Sequence, residues 1–517
     1  MKFSPVSLTS GVLTFCTPRR FAASSTPTRF TLPTPQARIM KKLLALFLLF
    51  SPGVFTKERP NIIFILADDL GWGDLACYGH PQIQTPNLDR LAHQGTRWTQ
   101  FYVASPVCSP SRAAFLTGES PSREGIHGHF GSIKENAARR MPQFLDPARP
   151  QLISDLKRAG YATAHVGKWH LRNNVAAVLG REPDGDQGQG PSPEAYGFDF
   201  VGSGEPFGGA GPADDPYHRA RSSRVFVDET ISFIRRHRDR PFYVQLWALQ
   251  PHARLNPLPQ QLRPYAHLAP GRDFPHASAA QIYLASITDL DDQIGRLMAE
   301  LDELNLSNGT ILIFTSDNGP EDIHVINAGH SGVGSTGLFR GRKRSLYEGG
   351  IRVPFVVRWP GRIPAGVTDD VSVLSALDLR PTLTALAGAE FTAGRMPDGE
   401  DVSDIFFGKV RARQKPLLWE WRSSIIGHAV NRSPSMAIRD GDWKLLLNPD
   451  RSRIELYAVR EDPTELDNRA REHADTVERL AERALAWRAG LPSALPTDDH
   501  TPVSSWEKLK APAVREP

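Results

Sequence analysis

The chain has 517 residues, with 61 Lys+Arg against 57 Asp+Glu and a formal net charge of +4. So small an excess over such a length excludes nucleic-acid binding by general surface charge, and any anionic partner has to be held locally. A hydrophobic content of 40%, with 10 Trp and 25 Phe, excludes a disordered chain and is enough for two domains, one of them large.

Residues 1–39 are rich in Ser, Thr, Pro and Arg and show no helical or strand period. They read as an over-extended start, with a transit-type leader as the alternative. Residues 40–58 read as a signal peptide: Met40, two lysines, an apolar run from Leu43 to Phe50, then small and turn residues. The run is too short to span a bilayer comfortably, so the expectation is a secreted or periplasmic protein without stable membrane insertion. Cys16 falls in the leader, and Cys77 and Cys108 alone cannot build a disulfide framework. Cys77 is expected to be a small, partly buried residue in the loop Gly71–Gly79.

The apolar, β-branched run Asn61–Leu66 reads as a strand buried on both faces, ending at Asp68-Asp69. Ala162–Val166, Pro241–Trp247, Thr310–Thr315 and Val353–Trp359 are further strands, and the third of these ends at Asp317-Asn318-Gly319. Tyr283, Ile287, Leu290, Ile294, Leu297, Leu301 and Leu304, alternately four and three apart, predict one helix with a single apolar stripe. Strands alternating with helices predict an α/β fold with a largely parallel sheet, whose sites form beyond the carboxyl ends of its strands. Both acidic pairs fall there. Residues 178–194 and 203–216 are rich in Gly, Pro and Asp and read as long loops. From about residue 412 the pattern changes to a hairpin over Met436–Leu447 around Asp440-Gly441, a strand Ile454–Val459, and a helix with Val477, Leu480, Ala484 and Trp487 on one face. The expected division is a main domain at 59–411 and a C-terminal α+β subdomain and tail at 412–517.

Asp68, Asp69, Asp317 and Asn318 offer four oxygen-bearing side chains and no sulfur or imidazole, which suits Ca²⁺ or Mg²⁺ rather than zinc. Either pair alone reads more plainly as a helix cap. Two pairs at two strand ends, with Cys108-Ser109-Pro110-Ser111-Arg112 between them in sequence, favour the cation. Gly167-Lys168-Trp169-His170 places a lysine and a histidine at a strand end, able to point into one cleft across a local bend; alone they read as a solvated Lys and a structural His. Gln250-Pro251-His252 follows the strand Pro241–Trp247. The stretch Gly337–Pro354 carries Arg340, Arg342, Lys343 and Arg344 ahead of Tyr347-Glu348-Gly349-Gly350. His127, in a Gly-rich loop, reads as structural or substrate-contacting rather than catalytic.

Cys108-Ser-Pro-Ser-Arg112 resembles the C-x-P-S-R signature of the type I, formylglycine-dependent sulfatases, in their arylsulfatase A-like branch. The other blocks resemble the family's in the same order, from about Pro60 to about Leu491. The resemblance implies an alkaline-phosphatase-like fold, with 59–411 as the catalytic domain and a smaller C-terminal antiparallel sheet plus helix. It implies that a maturation enzyme oxidises Cys108 to formylglycine. One hydroxyl of the hydrated aldehyde then attacks sulfur, and collapse of the other expels sulfate. It assigns Asp68, Asp69, Asp317 and Asn318, with the modified Cys108, to a metal that the family makes Ca²⁺, Mg²⁺ being the alternative. Arg112 becomes the brace of the modified residue, Lys168 a ligand of sulfate and hydrate, and His170 the base for the second hydroxyl. His252 becomes a sulfate contact that helps protonate the departing oxygen, and Lys343 a sulfate ligand and acid.

Two departures from the family pattern stand out. Ala253-Arg254-Leu255 follows His252 in place of Thr-Pro, and Arg342 and Arg344 stand where glycines are commoner. The extra charge reads either as a solvated basic turn or as a grip on a second anionic group of a polyanion. The expected activity is hydrolysis of a sulfate monoester, on a sulfated small molecule or a sulfated glycan, to alcohol and inorganic sulfate. The alternatives are a phosphonate monoester or phosphodiester hydrolase of the same superfamily, and a non-catalytic sulfated-glycan binder in which Cys108 stays a thiol.

Overall fold

The run from Asn61 forms the central strand β1 (Asn61–Ala67), and its seven residues are all buried. The computed structural model describes residues 59–173, 190–203, 217–270, 276–323, 329–422 and 428–492. The predicted leader and signal segments, and the predicted loops apart from 190–194 and 203, lie outside them.

The remaining strands of the large sheet are β2 (Thr96–Tyr102), β3 (Ala162–Gly167), β4 (Phe200–Val201), β5 (Phe242–Trp247), β6 (Thr310–Ser316), β7 (Arg352–Arg358), β8 (Val367–Asp369) and β9 (Leu374–Ser375). Their order is β4-β3-β5-β1-β6-β7-β2-β8, with β9 also on β2. The run β4-β3-β5-β1-β6 is parallel throughout. β7 runs antiparallel to both its neighbours, a reversal that composition does not reveal. β2 escapes a period-two reading because its register shifts between Trp98 and Phe101. Alternate residues of β1 feed two cores. Ile62, Phe64 and Leu66 face the side that includes Phe115 and Trp247. Ile63 and Ile65 face the predicted helix, observed as Ala279–Glu303, through Ile287, Leu290, Ile294 and Leu301.

The hairpin at Asp440-Gly441 forms as expected. β10 (Leu417–Glu420), β11 (Met436–Asp440), β12 (Trp443–Leu447) and β13 (Glu455–Ala458) make an antiparallel four-stranded sheet in that order. One face packs on the helix Ala474–Ala489 through Val477, Leu480 and Ala484. The other face sends Ala437, Leu446 and Tyr457 into the core of the large sheet. Cys77 is half-buried, in a single 3-10 turn Ala76–Tyr78. No helix among the described residues is long and apolar enough to cross a membrane.

Candidate active site

β1 and β6 are neighbours in parallel, so their carboxyl ends release Asp68-Asp69 and Asp317-Asn318 side by side. The backbone N–H of Asp69 donates to Asp317 Oδ1 at 3.1 Å, and Asn318 Nδ2 donates to Asp69 Oδ1 at 2.7 Å. Asp69 sits at φ 68, a left-handed conformation that a non-glycine residue holds only where its surroundings impose it. All four side chains are buried.

Cys108 is the first residue of the helix Cys108–Thr117, entered from an extended Val107 and closed by a left-handed Gly118. Pro110 is tolerated because it lies in the first turn, where backbone N–H groups lack helical partners. Arg112, one turn on and fully buried, donates Nε and Nη2 to Asp317 Oδ2 at 3.0 and 2.7 Å. Its Nη2 also lies 3.3 Å from Asp68 Oδ1, its Nη1 donates to the Lys168 carbonyl, and its guanidinium packs over the Trp247 ring. Arg112 thus braces carboxylates beside Cys108.

The expected bend after β3 is present, with Gly167 at φ 103 and His170 at φ 55. A side chain at Gly167 would place Cβ 1.9 Å from the Trp247 carbonyl oxygen. Across the bend, Lys168 Nζ donates to both oxygens of Asp68, at 2.9 and 2.7 Å. His170 Nδ1 lies 3.2 Å from Cys108 Sγ, and its Nε2 lies 3.1 Å from the Phe130 carbonyl oxygen. A carbonyl only accepts, so Nε2 carries the ring proton and Nδ1 turns a lone pair to residue 108. Burial, then Lys168 and Arg112, hold the His170 pKa well below its ordinary value, which keeps Nδ1 unprotonated. Lys343 Nζ donates to both oxygens of Asp69 at 2.6 Å, and it lies 3.5 Å from Glu321 Oε2. Burial alone would lower the Lys343 pKa, but Asp69 and Glu321 outweigh it and keep the group an ammonium. His252 Nε2 stands 3.7 Å from Asp69 Oδ2, with the ring one-quarter exposed. Burial pushes its pKa down to about 4 against the pull of Asp68 and Asp69.

All ten predicted site residues therefore meet at one place. Asp68, Asp69 and His252 lie close enough to share an ion, as do Asp68, Cys108 and Asp317. Two observations fit a hard cation among the acidic groups. Asn318 Oδ1 is buried without a hydrogen-bond partner. Burial also pushes the Asp317 carboxyl up to about 8, with Arg112 opposing and Asp68 adding to the rise. Asp68 goes the other way: burial raises it, but Lys168, His252 and Arg112 together hold it well below the usual carboxylate range. A divalent cation supplies the positive charge this group of oxygens calls for.

The arginine-rich turn corrects both readings given above. Arg342 donates to the carbonyls of Glu321, Gly332 and Gly334. Arg344 is 8% exposed and paired with Glu321, and Arg340 stacks 3.9 Å above the Tyr347 ring. These side chains are neither a solvated turn nor a free grip on a polyanion, because Glu321, Gly332 and Gly334 of the preceding segment and the Tyr347 ring engage them. Glu321 was not anticipated, although it stands only three residues after Asn318 and could have been noted as one more oxygen donor. His127 is buried with Nε2 on the Arg139 carbonyl, in keeping with a structural role.

A family model described as sulfatase matches residues 60–389. The chain belongs to the sulfatase family. A second model, the C-terminal region of N-sulphoglucosamine sulphohydrolase, matches residues 334–489 of this sulfatase. Human arylsulfatase A is 33% identical over 398 residues, covering 72% of this chain and 73% of that protein. N-acetylgalactosamine-6-O-sulfatase of Bacteroides thetaiotaomicron is 29% identical over 511 residues, covering 82% and 92%. A solved structure from work on glycosaminoglycan metabolism by the same bacterium aligns with a TM-score of 0.65 and 26% identity, covering 84% of this chain and all of its own. The sulfatase is thus a sulfuric ester hydrolase, with the alkaline-phosphatase-like α/β architecture its sequence implied.

Proposed function

We propose that this sulfatase hydrolyses a sulfate monoester on a sulfated glycan, using formylglycine formed from Cys108 and a Ca²⁺ ion held by Asp68, Asp69, Asp317 and Asn318. The observation that carries the reading is Cys108 at the first turn of a buried helix, against the unprotonated nitrogen of His170 and beside Asp68 and Asp317. The thiol marks the position of the modified group. Formylglycine supplies a hydrated aldehyde, whose hydroxyls serve as nucleophile and as the means of release. The cation, when bound, draws charge from the sulfate oxygens.

The chain's own groups do the rest. His170 accepts a proton at Nδ1 from residue 108, and its Nε2–H on Phe130 O keeps the ring oriented. Lys168 and Lys343 present buried ammonium groups to the anionic oxygens, and in so dry a site such donors act with little reorganisation. Lys343, held as an ammonium, donates a proton to the departing oxygen. His252 turns Nε2 to the sulfate from the side of Asp69; with its resting proton on Nδ1, the ring takes up a second proton at Nε2 beside the anionic ester and donates from there. Arg112 keeps Asp68 and Asp317 in register with the helix that bears Cys108. The glycan follows the names of the relatives rather than the arginine-rich turn.

A mass spectrum of the tryptic peptide Trp98–Arg112, from protein made with a maturation enzyme, tests the first step. An aldehyde at Cys108 is the expected product, and a persistent thiol overturns the mechanism in favour of a non-catalytic binder. Parallel rates on aryl sulfates and aryl phosphonates test the second. A preference for phosphonate would replace the sulfate reading with that of a phosphonate monoester hydrolase.

A further inference from the structure

We infer that Arg219 is a positioning residue of this active site, holding the Ala253 carbonyl that decides which nitrogen of His252 carries the proton. The inference rests on the role proposed above for His252. His252 Nδ1 lies 2.6 Å from the Ala253 carbonyl oxygen. That oxygen can only accept, so Nδ1 is the donor and Nε2 is the nitrogen presented to the site, on the side of Asp69. The same oxygen accepts a second bond, from Arg219 Nη1 at 2.8 Å, and Nη1 also reaches the His252 carbonyl at 3.2 Å. The tie is reciprocal: Gln250 Nε2 donates back to the Arg219 carbonyl at 2.8 Å and to Ser222 Oγ at 2.9 Å. The segment 250–253 is thereby bound from both sides to the first turn of the helix His218–His237.

Neither of the usual reasons for an arginine accounts for this one. A cation in the first turn of a helix faces the positive end of its dipole and gains nothing there. The carboxylate whose charge it feels is Asp68 of the site itself, while its burial works against the charged form. Its hydrogen bonds instead fix two carbonyls around His252. This is also where the chain departs from the family pattern, with Ala253-Arg254 in place of Thr-Pro, so the loop takes its restraint from the neighbouring helix.

One nitrogen makes both bonds, so a lysine ammonium can take its place and a thioether cannot. In ¹⁵N-histidine-labelled protein, Arg219→Met is expected to move the His252 ring-nitrogen shifts toward a mixture of tautomers. It is expected to lower kcat on an aryl sulfate by about 10-fold, with KM nearly unchanged, less than the roughly 10²-fold a general acid or base itself contributes. Arg219→Lys should restore both. Arg219→Met placed on His252→Ala should cost nothing more, since the arginine acts through the ring. Where Arg219→Met does not fold, Arg219→Gln, too short to reach both carbonyls, is the variant measured. Unchanged nitrogen shifts, or an equal loss of kcat in the His252→Ala background, overturn the inference. Parental kcat in His252→Ala alone would instead remove the role proposed for His252, and this inference with it.

Discussion

Lys444 on β12 is fully buried, with Nζ 2.9 Å from Glu348 Oε1 and 2.8 Å from Glu465 Oε1, both also fully buried. Lys444→Met keeps the volume and removes the charge, leaving two carboxylates with Arg352 Nη1 at 3.2 Å and the Tyr102 hydroxyl as the partners of Glu348. Breaking a buried pair from one side costs about 3–5 kcal/mol. The unit from Arg59 onward unfolds with an entropy of about 1 kcal/mol/K, taking about 2.1 cal/mol/K per residue, so the melting temperature should fall by about 3–5 °C. The pH dependence has a definite sign. Burial, and then Glu348, hold the Glu465 pKa up to about 7 against Lys444, and loss of the lysine raises it further. A raised carboxyl pKa means that the folded state binds more protons than the unfolded state, so the deficit shrinks as pH falls. Calorimetry at pH 8 and pH 5 measures both quantities. A deficit below about 1 kcal/mol, the range of exposed pairs, or one that grows toward pH 5, would refute the reasoning.

Three further outcomes follow from the same geometry. Cys108→Ala should abolish turnover while the melting temperature holds, since the residue packs at a helix start without a covalent partner; unfolding would mark it as structural. Asn318→Ala removes the buried, unpartnered Oδ1, so the rise in melting temperature on adding saturating Ca²⁺ should shrink or vanish, and a parental rise would take Asn318 out of the cation site. Burial raises the Asp289 pKa to about 6, against its Gln261 hydrogen bond, so Asp289→Asn should stabilise the protein by about 1–3 kcal/mol at pH 7.5. The unfolded carboxyl titrates near 3.8, so the gain should fade between pH 6 and 4, and denaturant midpoints that show a constant or growing gain contradict the assignment.

Asp68, Lys168, His252 and Asp317 were legible in the sequence because each follows a strand that could be read. Cys108 follows the irregular β2 and Lys343 precedes β7, so those two rested on the family's motifs. β1 and β6 are unbroken apolar runs, and Asp68 and Asp317 stand immediately past their ends. What could not be read is how charge is shared once the parts meet. Arg344 looks like an available cation in a basic run, yet Glu321 neutralises it across a turn that no local period announces. Arg219 is one arginine among several on an amphipathic helix, and only the approach of Ala253 from a different segment gives it meaning. β7 reads as any other buried strand, since a run apolar on both faces carries no mark of direction.

The second family match begins at residue 334, before Lys343, rather than at the change of pattern near 412. The structure supplies a physical reason. The segment bearing Lys343 is gripped by the small sheet: Arg340 Nη1 reaches the Glu465 carbonyl, Tyr347 Oη donates to Glu455 Oε2 at 2.7 Å, and the Glu348 N–H donates to Glu465 Oε2 at 2.6 Å. On its other side the same segment abuts the acidic group, for the Gly319 N–H donates to the Gly350 carbonyl at 3.0 Å. A side chain at Gly319 would bring Cβ within 1.9 Å of the Gly349 carbonyl oxygen, so the two loops touch backbone to backbone. Lys444 and Glu465 of the small-sheet region are thus linked through Glu348 and Gly350 to Gly319 and Asn318 by contacts that are all buried or hydrogen-bonded. Loss of the small sheet would leave Glu348 buried without Lys444 and free the loop that aims Lys343. The antiparallel sheet is therefore part of what builds the active site, and a chain cut near residue 412 should lose the positioning of Lys343 even where the large sheet still folds.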